Sequence, residues 1–257
     1  MKIQNAKVVL TGAGSGIGRA IAVELSAKGA NLVLADLNEE GLVETRSMLA
    51  HPDAAHLLRV DVTNSNDRSE LRAMVEEEFG ELNLLINNAG VVSVGRLEEA
   101  DDSALELMLG VNLFAPMALC RDFKPLLQKA NSARIVNIGS MFGDIAFPLF
   151  AAYSATKFGI RGLSDALRRE LKVEGIGVTY VAPRAAKTGA TTAFEHLVGP
   201  MNMKLDPPET VARNIVEAIE RDARSAYPKG AERFFVLIQR LFPGLVDNDI
   251  VKQLGKV

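Results

Sequence analysis

Tyr153 and Lys157 stand four residues apart in the stretch Ala151-Ala152-Tyr153-Ser154-Ala155-Thr156-Lys157. If that stretch is helical, both side chains lie on one face. A phenol with an ordinary pKa of about 10 transfers protons poorly near neutrality. An ammonium beside it favours the phenolate and lowers that value. Reaching about 7 takes about 4 kcal/mol of differential stabilisation. One lysine could supply much of that, and a second positive charge on a bound group the rest. The same spacing also arises by accident on ordinary helices, so the surrounding chain must decide.

The elements around the pair follow a regular order. An apolar run at 7–10 ends in Thr11-Gly12-Ala13-Gly14-Ser15-Gly16-Ile17-Gly18, and an amphipathic helix through Ile21 and Leu25 follows, closed by Gly29. Strand, glycine turn and helix together cradle a dinucleotide diphosphate, because glycines let the backbone come close and the helix N-terminus favours anions. A second strand at 31–36 ends on Asp36, eighteen residues past Gly18. A carboxylate there accepts hydrogen bonds from an adenosine ribose and repels a 2'-phosphate, which favours NAD over NADP. The alternative is that Asp36 only caps the helix starting near Asn38. No arginine follows Asp36 to pair a phosphate. An oxidised nicotinamide would be the second positive charge near Tyr153.

Further strands are expected at 56–60, 82–86, 134–138 and 177–182, alternating with helices that include one after Asn64 bearing Leu71, Met74, Val75 and Phe79. That alternation implies an α/β fold, a doubly wound parallel β-sheet with helices on both faces. Asp61, next to Val62, could hydrogen-bond an adenine amino group or simply begin a loop. Asn112 is an amide in an apolar helical stretch of about 103–130 and must find partners, with backbone the plain alternative. Ser140 follows the fifth strand, at the carboxyl end where such sheets place ligands, thirteen residues before Tyr153. A helix is expected from about 152 to 174.

Composition narrows the classes. The chain has 257 residues, 48% of them hydrophobic, and a net charge of -3, so a single domain with a substantial core is expected and nucleic acid is not. One cysteine, Cys120, allows no internal disulfide or multi-cysteine metal site and reads as a buried thiol. His51, His56 and His196 lack metal-ligand spacing, so no metal is expected. The first two read as surface, whereas His196 could touch substrate. The N-terminus reads as having no signal peptide and no run as long enough to span a membrane, so a soluble, cytoplasmic protein is expected.

Taken together, Thr11-Gly12-x3-Gly16-x-Gly18, Asn87-Asn88-Ala89-Gly90, Asn112, Ser140, Tyr153-x3-Lys157 and Pro183 with Thr188 resemble the short-chain dehydrogenase/reductase family in its single-domain Rossmann form, over about 5–227. The resemblance implies hydride transfer between a nicotinamide and a carbonyl or alcohol. It implies Tyr153 as general acid/base and Lys157 as the group that lowers its pKa and holds the nicotinamide ribose. It gives Ser140 the substrate oxygen, Asn112 a water-linked relay from Lys157, Thr188 the carboxamide, and Asn87 and Gly90 the wall beneath the cofactor. The expected NAD site also takes in Gly12, Gly14, Ser15, Gly16, Ile17, Gly18, Asp36, Asp61, Val62, Asn88, Ala89, Pro183 and the Tyr153–Lys157 pair. Homodimers or homotetramers through the helices at about 103–130 and 152–174 are implied as well. Arg184 and Ala186 depart from the family's usual Pro-Gly and valine, which puts the nicotinamide-side pocket in question.

An NAD-dependent dehydrogenase of a largely apolar alcohol or ketone is the favoured reading. The rivals are an NADPH-dependent 3-oxoacyl-type reductase and a nucleotide-binding scaffold without turnover. Met141, Phe142, Phe147, Leu149 and Phe150, with Phe194, Leu197 and Met201 in a flap at 189–206, are candidates to line the pocket, or are plain core. Arg184 either points to solvent or pairs with a local carboxylate, or else binds a carboxylate or phosphate of the substrate. The helical tail at 228–257, rich in apolar residues, either packs over the pocket or another subunit, or touches a membrane surface.

Overall fold

The computed structural model describes residues 1–254. Its elements are β1 Lys7–Thr11, α1 Gly16–Ala27, β2 Asn31–Asp36, α2 Glu39–Ser47, β3 Ala55–Arg59, α3 Ser65–Phe79, β4 Leu84–Asn87, α4 Asp102–Leu109, α5 Ala115–Lys129, β5 Ala133–Ile138, α6 Ala151–Glu170, β6 Ile176–Val181, α7 Glu195–Val198, α8 Pro208–Glu220, β7 Ser225–Ala226, α9 Glu232–Leu241 and α10 Pro243–Leu254. Seven parallel strands form one sheet in the order β3-β2-β1-β4-β5-β6-β7. Both faces of a parallel sheet must be covered, and here they are. Val8, Leu10, Val136 and Ile138 pack with α1, α2 and α8 on one face, and Val9, Leu85, Ile135 and Val178 with α3 and α5 on the other. The strand order reverses between β1 and β4, so a crevice opens beyond their carboxyl ends.

The helix ends follow local chemistry. The side chain of Asn64 accepts from the amides of Asn66 and Asp67 at the start of α3, and Gly80 closes it in a left-handed conformation. Asn38, not Asp36, caps α2, its side chain accepting from Gly41 N. Between α4 and α5 the residues Gly110–Phe114 form a π turn, so the stretch expected as one helix is a helix with a bulge at Asn112. α6 runs on through a tighter turn at Leu171–Glu174 to a left-handed Gly175.

One expectation needs correction. The run Asp102–Lys129 is 28 residues long and contains an 18-residue stretch of mean hydropathy 1.5, long and apolar enough by length and composition alone to cross a membrane. Its apolar side chains Leu119, Phe123, Leu126 and Leu127 are buried against the sheet. The expected helical tail is built as two helices, α9 and α10, with Pro243 in the first turn of α10. The two-residue β7 at the sheet edge carries no pattern that a sequence reading could find. Of the tail expected at 228–257, residues 255–257 lie outside the described residues.

Candidate active site

A chamber of about 840 Å³ lies in that crevice, walled by the turns after β1, β4, β5 and β6. At its floor the glycine turn is set by two requirements. Gly12 has φ +68, and a Cβ at Gly18 would overlap the Gly12 carbonyl. Asn88 fixes the turn from the side, its Nδ2 donating to the carbonyls of Thr11 and Gly12 at 3.0 Å each. Gly12, Ser15, Gly16, Ile17, Gly18, Asn88, Ala89 and Gly90 all line the chamber. Gly14 lies behind it, its amide donating to Asp36 Oδ2 at 2.8 Å. Asp36 Oδ1 accepts from Asn38 N at 2.9 Å, so two backbone amides hold the carboxylate at the chamber's edge. Asp61 and Val62 also line the wall, though Asp61 Oδ1 accepts from Thr63 N and Oγ1, as a loop-starting residue does.

At the other end Tyr153, Ser140 and Lys157 meet. Lys157 is buried, its Nζ 5.5 Å from the Tyr153 ring centre and donating to Ile138 O at 3.1 Å. Ser140 Oγ accepts from Phe142 N at 3.1 Å, which orients the hydroxyl on a short helical turn. Burial pushes the Tyr153 phenol up to about 12, and the Ser140 hydroxyl offsets only part of that. Burial also pulls Lys157 down to about 8. The expected lowering of the phenol by its lysine is therefore not met within the protein alone. Desolvation opposes both charged forms, and the ammonium is bonded to a backbone carbonyl.

Asn112 is buried in the π turn, with Oδ1 accepting from Val91 N and Nδ2 donating to Val91 O, both at 2.8 Å, and to Thr156 Oγ1 at 3.3 Å. Backbone thus satisfies the amide. It still lies close to Lys157, since a Cβ on Gly90 would sit 3.3 Å from Asn112 Oδ1 and 3.7 Å from Lys157 Nζ. Asn87 does not shape the chamber. Its side chain points to the α5 face of the sheet, where Nδ2 donates to Asn137 Oδ1 at 2.8 Å and to Cys120 Sγ. Cys120 is buried and free, with its thiol pushed up to about 12 by that burial.

The turn after β6 supplies Pro183, Arg184 and Thr188, all facing the chamber. Thr188 lies over the glycine turn, its Cγ2 3.0 Å from where a Cβ of Gly16 would be. Arg184 is the paired alternative from the sequence reading, but its partners are remote in the chain. Nε donates to Asp206 Oδ2 at 2.9 Å and Nη1 to Glu232 Oε1. The flap is built as a short-helical lid in which Phe194, Leu197 and Met201 bury against Phe150. Met141, Phe142, Phe147, Phe150, Phe194 and Met201 line the chamber, whereas Leu149 and Leu197 lie behind it. His196 is exposed on the lid and does not line the chamber, so of its two readings the plain surface one holds. His51 is exposed as expected, and His56 is half-buried against Phe79.

The tail packs over the pocket, one of the alternatives the sequence offered, and contributes Glu232, Phe235, Val246 and Ile250 to the chamber wall. Sequence reasoning missed Asp144, whose fully buried side chain pairs with Arg161 and accepts from the Tyr227 hydroxyl at 3.2 Å. Tyr180 OH donates to Ser140 O at 3.1 Å beside it. Burial raises the Asp144 carboxyl above its usual range against the pull of Arg161 and the two tyrosine hydroxyls. An acid four residues past Ser140 was the one signal available, and nothing in the sequence shows its partners.

The arrangement suits an extended ligand with a diphosphate over the glycine turn, a diol at Asp36 and a reacting ring beside Tyr153. Known proteins agree. The family model for short chain dehydrogenase matches residues 6–197. Estradiol 17-beta-dehydrogenase 11 of Homo sapiens is 31% identical over 240 residues, 92% of this chain and 79% of that protein. An uncharacterized oxidoreductase of Staphylococcus aureus is 31% identical over 211 residues, 82% of this chain and 89% of its own. Among solved structures, a short chain dehydrogenase/reductase from Burkholderia phymatum in complex with NAD superposes with TM-score 0.87 at 27% identity, covering 95% of this chain and 96% of that one. A 3-ketoacyl-(acyl-carrier-protein) reductase from Brucella melitensis complexed with NADH shares the fold, with TM-score 0.80 at 23% identity over 88% and 97% of the two chains.

Proposed function

The chain belongs to the short-chain dehydrogenase family, and from that premise we propose that it interconverts a largely apolar secondary alcohol and its ketone with NAD. The observation that carries this reading is the convergence of Tyr153, Ser140 and Lys157 on one end of a chamber whose other end is the glycine turn and Asp36. The glycine turn, Asp36 and Lys157 would hold NAD, which when bound would supply a two-electron hydride acceptor for the alcohol, or in reduced form a donor for the ketone. Tyr153 takes the hydroxyl proton in oxidation and gives it back in reduction. Ser140 holds the reacting oxygen by a hydrogen bond and so orients it toward the phenol. Lys157 keeps a positive charge beside the phenolate and supplies donors for the nicotinamide ribose. Phe142, Phe147, Phe150 and Phe194 exclude water from the substrate side.

Asp36 supports NAD over NADP, because a carboxylate held by two backbone amides accepts from a ribose diol and repels a phosphate. Arg19 offers no counter-charge, since its guanidinium is bonded to Gly14 O and Glu44 at 2.6 Å each. The same proposal includes self-association through the exposed apolar face of α4, α5 and α6. The test is NADH formation across a panel of secondary alcohols. The wild type should prefer NAD by at least about tenfold, and Asp36→Ala should narrow that gap. Tyr153→Phe should lower turnover by about 10²- to 10⁴-fold while NAD still binds. A wild type that prefers NADP would refute the cofactor assignment, and undiminished turnover in Tyr153→Phe would refute the role of Tyr153.

A further inference from the structure

Arg184 ties together two segments that are far apart in the chain. Asp206 ends the lid and Glu232 begins α9, and the guanidinium bonds both. The three side chains are only 15%, 14% and 19% exposed, so this pairing is sheltered from solvent rather than loose on the surface. Glu232 lines the chamber, and Asp206 closes the lid segment behind it. The lid presents Phe194, Met201 and Met203 to the chamber, and the tail presents Phe235, Val246 and Ile250.

The tail has little else to hold it. In α9 only Val236 is buried, while Phe234, Phe235, Leu237 and Leu241 are each at least half exposed. A helix that buries one apolar side chain gains little from packing and opens readily unless other contacts hold it. Among the described residues its other polar anchors are Arg240 on Asp144 at 3.5 Å and Arg233 stacked 5.6 Å from the Tyr227 ring centre. Glu232 Oε2 is buried with no hydrogen-bond partner among the described residues, so Arg184 is what compensates that carboxylate. Removing the guanidinium would leave two sheltered acids without their shared cation.

We infer that Arg184 is a specificity-determining positioning residue: it holds the lid and the C-terminal helices together as one apolar wall, and so selects secondary alcohols or ketones with a bulky apolar substituent over small ones. This rests on the dehydrogenase reading above for its substrate, but not for the tie itself. The planar fork matters because one guanidinium meets two carboxylates in different directions, which a single ammonium copies poorly.

The experiment has two arms. In the first, kcat/KM is measured with NAD for cyclododecanol and cyclohexanol. The wild type should favour the larger ring. Arg184→Met should reduce that preference about tenfold, as losing contact with about 50 Å² of apolar surface would, with the loss carried mainly by KM. Arg184→Lys should fall between the two. In the second arm, amide hydrogen exchange is followed without substrate. Arg184→Met should speed exchange in both 189–206 and 232–241 while α6 stays protected, and Glu232→Gln should speed it in 232–241 alone. Unchanged exchange in both segments would overturn the tie. Equal loss of activity on the two rings would overturn the selection. A wild type that oxidises neither alcohol, yet shows the expected exchange pattern, would bring down the dehydrogenase reading and leave the tie standing.

Discussion

Lys157 is a cation buried among backbone and apolar groups, and its pKa falls from 10.5 to about 8 by that burial. The sign of the resulting pH dependence follows from proton counting. Below about pH 8 the group is charged folded or unfolded, and the folded state bears the desolvation cost. Between about 8 and 10.5 the folded protein releases the proton first, so stability contributed by this residue rises with pH. Lys157→Met should therefore be more stable than wild type near pH 7, by about 1–3 kcal/mol, even though turnover is lost. The advantage should shrink as pH rises toward 10.5. Urea unfolding at the two pH values reads this directly, and a variant less stable than wild type near neutrality would show that the Ile138 hydrogen bond outweighs the desolvation. Stability spent on a buried cation is the expected signature of a residue kept for its charge.

Between α4 and α5 the chain departs from regular helix where Asn112 needs to reach Val91. The π turn swings the amide out of line, and both its hydrogen-bonding ends meet the backbone of the segment after β4. Asn112→Ala should strand the Val91 amide and carbonyl and lower unfolding free energy by about 1–3 kcal/mol. Denaturant titration checks it, and a variant as stable as wild type would mean that water replaces the side chain. This element also shows what the sequence could reveal. The need of a buried amide for a partner was legible, as were six of the strands and the Tyr153–Lys157 face, because each is a local pattern. The direction of Asn87 was not. Leu84, Leu85 and Ile86 are apolar on both faces of β4, so no alternation marks which way the strand's last residue points. In the structure its register partner is Asn137, and the two amides bond on the α5 face. The partners of Arg184 lie 22 and 48 residues away, and only the fold brings them together.

At the scale of the whole molecule, one face is left unpartnered by the chain's own packing. Phe114 and Met117, at the junction of α4 and α5, and Phe158 on α6 are between about two-fifths and one-half exposed. α4 and the π turn lie directly against α6, with Leu113 so close to Gly159 that a Cβ there would come within 2.8 Å of it. Met117 and Phe158 stand exposed on these packed elements, and the Phe114 ring carries the Arg68 guanidinium 5.6 Å from its centre. Two copies related by a two-fold axis would present the same face to each other and cover it. If the proposed self-association uses this face, Met117→Glu with Phe158→Glu should weaken it by about a hundredfold or more, since central apolar anchors each contribute about 2 kcal/mol or more. Sedimentation velocity across a dilution series measures the shift. Neither Met117 nor Phe158 lines the chamber, so monomer produced this way should still bind NAD. Association unchanged by both glutamates would move the interface to another surface, with the exposed α9 face of Phe234, Leu237 and Leu241 the next to substitute.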